Sequence, residues 1–370
     1  MNLISMRKPG RLRTISASTS ETYPQSSPAI WKGNTMTPTR PDIMQFFNMH
    51  SFPFGQVNGS GYYLSSEYKT ALKQIAYAVE SYEVVAIAGD VGAGKSEAVA
   101  HSIAALKATE GMKVKFIRVD HPRKESVRIN AVVESLLNDF LEDGERIPGS
   151  VQRRVWLLKF YLKQAVEDGI RVCLVIDEAH RLTGPFLKSL KDLYETIRFA
   201  HHGSLFAIVL TGHRSLIKHY KKVAPDVWQR LEAGNIAILG EMTEQEVADY
   251  ILHRCEEAGT PGLFTEHAAL AVGRLAKAPL GVNNICWDLL AHAYKEGFPE
   301  GENRRIDEMH VLSAYDPAQL MAMLDLSQGE IAKRGNLGKT TVKDVLDGKA
   351  GSKSVAEVKR VLAEAVQEGV

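Results

Sequence analysis

The sequence has few cysteines and no long apolar run. Its three cysteines, Cys173, Cys255 and Cys286, are scattered through apolar patterns, which favours reduced core thiols over a disulfide set or a metal site. No apolar run approaches the roughly 18 residues of a membrane span. The N-terminus has no signal-peptide core. We therefore expect a cytoplasmic protein with no membrane partner.

The chain also lacks an excess of charge. Its formal net charge is +1 over 370 residues, which gives no overall attraction to nucleic acid. Any DNA binding must therefore come from local basic patches. An apolar fraction of 45% is ordinary for packed cores, and the length suits about two or three domains.

A complete phosphate-loop motif, G-x-x-x-x-G-K-[ST], spans residues 89–96. It follows an apolar run at 84–88 and precedes a helix-forming stretch at 97–107. Small residues let backbone N–H groups surround the phosphates, and the next helix directs its positive N-terminus at them. In this motif Lys95 reaches the β and γ oxygens and Ser96 ligates Mg²⁺. The sequence therefore predicts ATP and Mg²⁺ as cofactors, with the nucleotide bound by Gly89, Asp90, Val91, Gly92, Ala93, Gly94, Lys95, Ser96 and Glu97.

Strands and helices alternate after this motif. Apolar or alternating runs predict strands at 113–119, 172–176 and 205–210, with helices between them. This alternation is typical of right-handed βαβ units in a parallel α/β sheet. After Thr243 the pattern is wholly helical. We predict a disordered basic arm at 1–42, an α/β core at 43–240, a helical lid at 241–317 and a small helical domain at 318–370.

An aromatic cluster precedes the phosphate loop. It consists of Phe46, Phe47, Phe52, Phe54, Tyr62 and Tyr63. Such residues either pack an adenine base or belong to the core, and the sequence leaves both interpretations open.

Two acidic residues end the predicted strand at 172–176. Asp177 is expected to hold the metal, and Glu178 is the candidate general base that polarises the attacking water. The alternative is an acidic pair at a helix N-terminus. A polar group must also position the water. Thr211, placed just past the predicted strand at 205–210, and His213 are the candidates.

These motifs resemble the AAA+ ATPases, especially the branch that holds the MuB and TnsC transposition ATPases and ExeA-type ATPases. The resemblance covers about residues 46–315 and rests on Phe52-Pro53-Phe54, Tyr63-Leu64-Ser65, the phosphate loop, Val175 to Leu182, Leu210-Thr211-Gly212 and Gln229-Arg230-Leu231. It implies a P-loop AAA+ parallel sheet flanked by helices and followed by a helical lid.

The resemblance also implies a shared site between subunits. Arg230, ahead of the run 236–239, matches an arginine finger that enters the neighbouring subunit's site and makes hydrolysis depend on a ring or filament of copies. A salt-bridged surface arginine is the alternative, and Arg214 is a rival finger. Relatives often carry Pro-Arg where this chain has Pro279-Leu280. Leu280 cannot donate to a phosphate.

The tail resembles a repressor-type helix-turn-helix. Ile331 and Ala332, then Val342, Val345 and Leu346, would form the buried seam of two helices. The second helix would begin with the candidate DNA contacts Lys339, Thr340, Thr341 and Lys343. A hairpin that binds protein has a similar pattern, so both interpretations stay open. A second basic cluster includes Arg123 and Lys124; the resemblance implies that it faces DNA, and a solvated loop is the alternative.

Together these features predict an ATP hydrolase that oligomerises on double-stranded DNA and acts in transposition with a transposase. The alternatives are an ExeA-like ATPase of secretion or envelope assembly, and a nucleotide-switched transcriptional regulator. The transposition role comes from the resemblance alone.

Overall fold

The computed structural model describes eight stretches of the chain, all after Thr37. They are residues 38–55, 63–110, 113–119, 128–142, 145–199, 203–232, 234–298 and 304–368. Internal contacts divide the chain into Met1–Thr37 and Pro38–Val370, so every described residue belongs to the second unit. The arm predicted at 1–42 lies outside the described residues apart from 38–42, where helix α1 (Arg40–Phe46) begins.

A parallel sheet of five strands forms the centre of the N-terminal half. The described strands are β1 (Val84–Gly89), β2 (Lys113–Val119), β3 (Ile170–Ile176), β4 (Arg198–Phe199), β5 (Gly203–Ser204), β6 (Ala207–Gly212) and β7 (Ile236–Leu239). The short β4 and β5 form a hairpin, and the other five follow the order β2-β3-β6-β1-β7. Strand β1 therefore has a parallel partner on each side, with Ala88 beside Gly212 of β6 and Ile238 of β7.

Helices cover both faces of this sheet. They are α2 (Ser66–Ser81), α3 (Lys95–Ala108), α4 (Ile129–Asn138), α5 (Val151–Glu167), α6 (Gly184–Thr196), α7 (Ser215–Val223) and α8 (Pro225–Glu232). One hydrophobic cluster joins α2 and α3 to the sheet, and a second joins α4 to α8 to it. Because both faces are covered, the central strands are buried and read as continuous apolar runs.

The C-terminal half is helical throughout its described part. Its helices are α9 (Glu244–Glu257), α10 (Glu266–Leu275), α11 (Pro279–Glu296), α12 (Glu308–Ser313), α13 (Pro317–Met323), α14 (Gln328–Arg334), α15 (Lys339–Leu346) and α16 (Ser352–Glu368). Capping boxes fix the starts of α9, through Thr243 and Glu246, and of α14, through Ser327 and Glu330. No described helix has both the length and the apolar character needed to cross a membrane.

The predicted lid and the predicted tail share one core. The same hydrophobic cluster contains Leu289 of α11, Val272 of α10, and Ile331 and Leu362 of the tail. Arg274 of α10 also donates a hydrogen bond to the Val366 carbonyl of α16. The last helix is therefore packed against the lid instead of forming a separate body with α14 and α15 alone.

The α/β class with a parallel sheet is confirmed, but one strand boundary was wrong. The strand predicted at 205–210 is Ala207–Gly212, so Thr211 lies inside the strand and not past it. Leu205 and Phe206 are buried next to the hairpin, which extends the apolar run ahead of the strand. The hairpin and helices α1, α7, α8, α12, α13 and α16 were not predicted; most of these are shorter than three helical turns.

All three cysteines are buried free thiols, and burial raises their pKa. Because the thiolate is the reactive form, we expect the folded protein to react with Ellman's reagent far more slowly than the unfolded protein, which should release three equivalents. Tyr77→Cys, at an exposed position of α2, is the positive control and should react at once. Rapid reaction of the folded parent chain would contradict the burial.

Candidate active site

The phosphate loop joins β1 to α3 at the carboxyl edge of the sheet. Gly94, the N-cap of α3, has a φ of 88°, a backbone conformation that other residues rarely adopt. At Gly89 an added Cβ would lie 2.8 Å from the carbonyl oxygen of Leu239, so β7 leaves no room for a side chain. The backbone conformation therefore favours glycine at residue 94, and the neighbouring strand β7 favours it at residue 89.

Lys95 extends back along the loop that precedes it. Its Nζ donates to the carbonyl oxygens of Gly89, at 3.0 Å, and Asp90, at 2.7 Å. Partial burial lowers the pKa of the Lys95 ammonium, and the opposing effects come from the carboxylates of Asp177, Glu178 and Asp90. The predicted phosphate-binding lysine therefore shares its surroundings with both predicted hydrolytic carboxylates.

Asp177 and Thr211 are brought together by the pairing of β3 with β6. Thr211 Oγ1 donates to Asp177 Oδ1 at 2.5 Å, and the backbone N–H of Glu178 donates to the same oxygen at 2.8 Å. Thr211 is 1% exposed. Thr211 lies inside β6 and not past it, and its hydroxyl contacts the candidate metal ligand.

Glu178 occupies an unusual backbone conformation. Its φ of 52° lies in the left-handed region, which is uncommon outside glycine and is found at strained functional positions. Its carboxylate is 3.1 Å from Arg181 and 3.8 Å from Nε2 of His180. The candidate base is therefore held at the edge of the site by two neighbours from the short 3₁₀ turn Ala179–Arg181.

His180 and His213 each accept a backbone hydrogen bond at Nδ1. Nδ1 of His213 accepts from the N–H of Ser215, and Nδ1 of His180 accepts from the N–H of His213, each at 3.2 Å. With Nδ1 an acceptor, a neutral ring carries its proton on Nε2. That nitrogen of His213 lies 3.2 Å from the Asp90 carboxylate. His213 thus contacts the phosphate loop, whereas Thr211 contacts Asp177.

Asp90 also has a cationic neighbour, Arg214. Arg214 Nε lies 3.0 Å from Asp90 Oδ2, and an added Cβ at Gly240 would lie 3.6 Å from the far end of the same guanidinium. This contact was not predictable from either segment alone, because residues 90 and 214 meet only through the pairing of β1 with β6.

A cleft opens beside the loop. Its lining includes Tyr63, Tyr68 and Glu97 from the N-terminal half and Tyr250 and Arg254 from α9. Burial raises the pKa of the Glu97 carboxyl, and the Arg254 guanidinium opposes this shift. The α9 residues were not predicted, because the fold alone brings the lid to this cleft.

The aromatic cluster before the loop divides between the two interpretations. Phe46 and Phe47 pack on Phe298 of the C-terminal half, and Phe52 packs on Trp287 of α11. These rings belong to the core. Tyr63 lines the cleft, and Tyr62 lies outside the described residues.

Leu280 brings the lid into contact with the phosphate loop. The backbone N–H of Leu280 donates to the Gly92 carbonyl oxygen at 3.3 Å. A Cβ added at Gly92 would lie 2.5 Å from the Cβ of Leu280. Its apolar side chain supplies no charge, so the lid touches the loop at this residue without offering a cation.

Among the remaining candidates, Arg230 lies on α8, the helix that precedes β7. Its side chain is not among those that the structure describes. Lys339, Thr340, Thr341 and Lys343 fall in the first two turns of α15, and all but the half-buried Thr341 are exposed. Arg123 and Lys124 lie outside the described residues.

Comparison with known proteins agrees with this architecture. Residues 79–219 match a family model described as an AAA domain. The fold is the P-loop AAA fold. Similar solved structures include Cdc6p from Pyrobaculum aerophilum, with a TM-score of 0.53 at 14% identity over 84% of this chain and 83% of that one. Another is Drosophila ORC bound to DNA, with a TM-score of 0.50 at 11% identity over 92% and 83%. No curated protein sequence matches the chain.

The oxygen donors at this site suit Mg²⁺. Asp177 is oriented by two donors, and Ser96 is exposed in the first turn of α3. No group of three or more His, Cys, Asp or Glu side chains in the described part could hold a metal alone. Mg²⁺ at nucleotide sites typically binds one or two protein oxygens together with phosphates. The residues present therefore fit an ion that arrives with the nucleotide.

We expect Thr211→Val to lower MgATP hydrolysis by about 10- to 100-fold, because Asp177 loses the donor that orients it and such partners typically have effects of that size. Steady-state phosphate release measures the change. Ser204→Ala removes another buried hydroxyl, bonded to the Phe206 carbonyl, and should leave the rate unchanged. Hydrolysis at the parent rate in Thr211→Val would refute the orienting role.

Proposed function

We propose that the protein is an ATP-dependent DNA-binding ATPase that assembles on duplex DNA and acts in transposition. The observation that carries the ATPase assignment is the meeting of the phosphate loop, Asp177 and Thr211 at one edge of the sheet. The finer assignment to transposition rests on the sequence resemblance described above.

In this proposal the nucleotide spans the loop and the cleft beside it. Lys95 and the loop N–H groups bind the phosphates, and the aromatic rings of Tyr63 and Tyr68 offer stacking surfaces for the base. Bound at Ser96 and Asp177, Mg²⁺ would neutralise charge on the β and γ phosphates.

Glu178 is the proposed general base. Its position directly after Asp177 places a carboxylate beside the metal ligand, and its contacts with Arg181 and His180 hold it at the rim where water has access. Arg230 of a neighbouring copy is the proposed finger that stabilises the charge developing on the transferred phosphoryl group. Hydrolysis would then depend on assembly and would release or reset the DNA complex.

The tail provides the proposed DNA surface. Residues 326–360 hold eight lysine and arginine against four aspartate and glutamate residues, a local excess in a chain that is nearly neutral overall. Val342 and Val345 face the core, which leaves Lys339 and Lys343 on the outer side of α15. Exposed cations at the start of a helix are suited to phosphate contacts.

We expect Lys95→Ala to abolish both ATP binding and nucleotide-dependent assembly on DNA, since it removes the phosphate-binding cation. Glu178→Gln should retain ATP and stabilise the DNA complexes, because it keeps the site's shape without a base. Electron microscopy of protein, duplex DNA and a non-hydrolysable ATP analogue shows assembly, and phosphate release shows hydrolysis. Absence of nucleotide-dependent assemblies in the parent protein would overturn the proposal.

The DNA surface has its own test. Lys339→Ala with Lys343→Ala should weaken DNA binding and reduce the slope of log Kd against log salt by about two, since each phosphate contact contributes roughly one. Lys69→Ala with Lys73→Ala, at the same spacing on α2, is the matched control and should change neither quantity. If the slope is unchanged in the tail variant, α15 does not contact DNA.

A further inference from the structure

We propose that Arg214 binds the γ-phosphate of ATP within its own subunit and so distinguishes ATP from ADP. The inference rests on the ATPase function proposed above, and it assigns Arg214 a role different from that of a finger reaching into a neighbouring subunit.

Arg214 lies beside the phosphate loop. Strand β6 is the direct neighbour of β1, with Ala88 opposite Gly212. The residues that follow β6 therefore lie beside the loop that follows β1. The ion pair between Arg214 and Asp90 fixes this relation, because Asp90 is the second residue of the phosphate loop itself.

Asp90 places a carboxylate in the phosphate loop. A carboxylate within a phosphate-binding loop repels phosphate unless cations neutralise it. Asp90 has two cationic or proton-donating neighbours, one at each oxygen: His213 Nε2 at 3.2 Å from Oδ1 and Arg214 Nε at 3.0 Å from Oδ2. Arg214 thus already offsets the negative charge of Asp90. A phosphate bound at the same place would contact a guanidinium that is already held in position.

The Arg214 guanidinium has enough N–H donors for both Asp90 and a phosphate. The contact with Asp90 uses Nε, and the Arg214 side chain is 42% exposed. Guanidinium has five N–H donors in a planar fork, so Asp90 and a phosphate can share it. Arg214 need not leave Asp90 to bind the nucleotide.

Leu280 of the lid contacts Gly92 through its backbone N–H and an apolar side chain. The lid's Arg254 lines the cleft, but it is buried and donates to the carbonyl oxygens of Pro53 and Gly55. Arg214, in contrast, is partly exposed and is held against Asp90 of the loop, so we assign the third phosphate to it.

The experiment compares the affinities of fluorescently labelled ATPγS and ADP. Arg214→Ala should weaken ATPγS binding by about 10- to 100-fold, the size expected for a charge-assisted contact, and change ADP binding by less than about threefold. Retained ADP binding also shows that the variant is folded. Lys218→Ala removes a positive charge one turn further along α7 and should alter neither affinity.

Two outcomes would overturn the inference: an unchanged ratio of the two affinities, or an equal loss of both nucleotides. Failure of the parent protein to bind either nucleotide would instead overturn the proposed ATPase. Measuring the affinities at protein concentrations at which the chain is monomeric separates the two subunit assignments. If Arg214→Ala weakens ATPγS binding only in assembled protein, the arginine acts between subunits and the inference is wrong.

Discussion

The parallel pairing of β1, β3 and β6 is the constraint on which the site depends. Strands that run in one direction end at the same edge, so the residues after each strand become neighbours in space. The phosphate loop follows β1 and Asp177 follows β3, while Thr211 lies near the end of β6. Without this common direction the loop would still be a glycine-rich turn, but neither carboxylate would face Lys95.

The same constraint explains what could be predicted from the sequence. The phosphate loop and Asp177 were predictable because each motif is local and follows a buried apolar strand. The contact between Thr211 and Asp177 was not, because it depends on where β6 ends, and the buried Leu205 and Phe206 obscured its start. The pairing of Asp90 with Arg214 depends on the register between distant strands. A periodicity within one segment carries no information about that register.

The helical half shows a different limit of prediction from sequence. The seam of Ile331, Ala332, Val342 and Val345 correctly indicated two short helices that bury one side. An apolar stripe does not specify its partner, however, and any helix of suitable shape can cover it. In this chain α16 and the lid provide that cover. The hydrophobic cluster therefore continues across residue 318, where the sequence pattern placed the end of the lid.

That continuous core gives the proposed coupling between nucleotide and DNA a physical route. The phosphate loop touches the start of α11 through Gly92 and Leu280. Helix α11 packs on α10, which holds α16 through packing and through the hydrogen bond from Arg274 to Val366. Helix α16 in turn packs on α15, whose outer side carries Lys339 and Lys343. Packed helices transmit displacements because interiors have little free volume. A shift of the lid would therefore be passed through these packed helices to the basic face of α15.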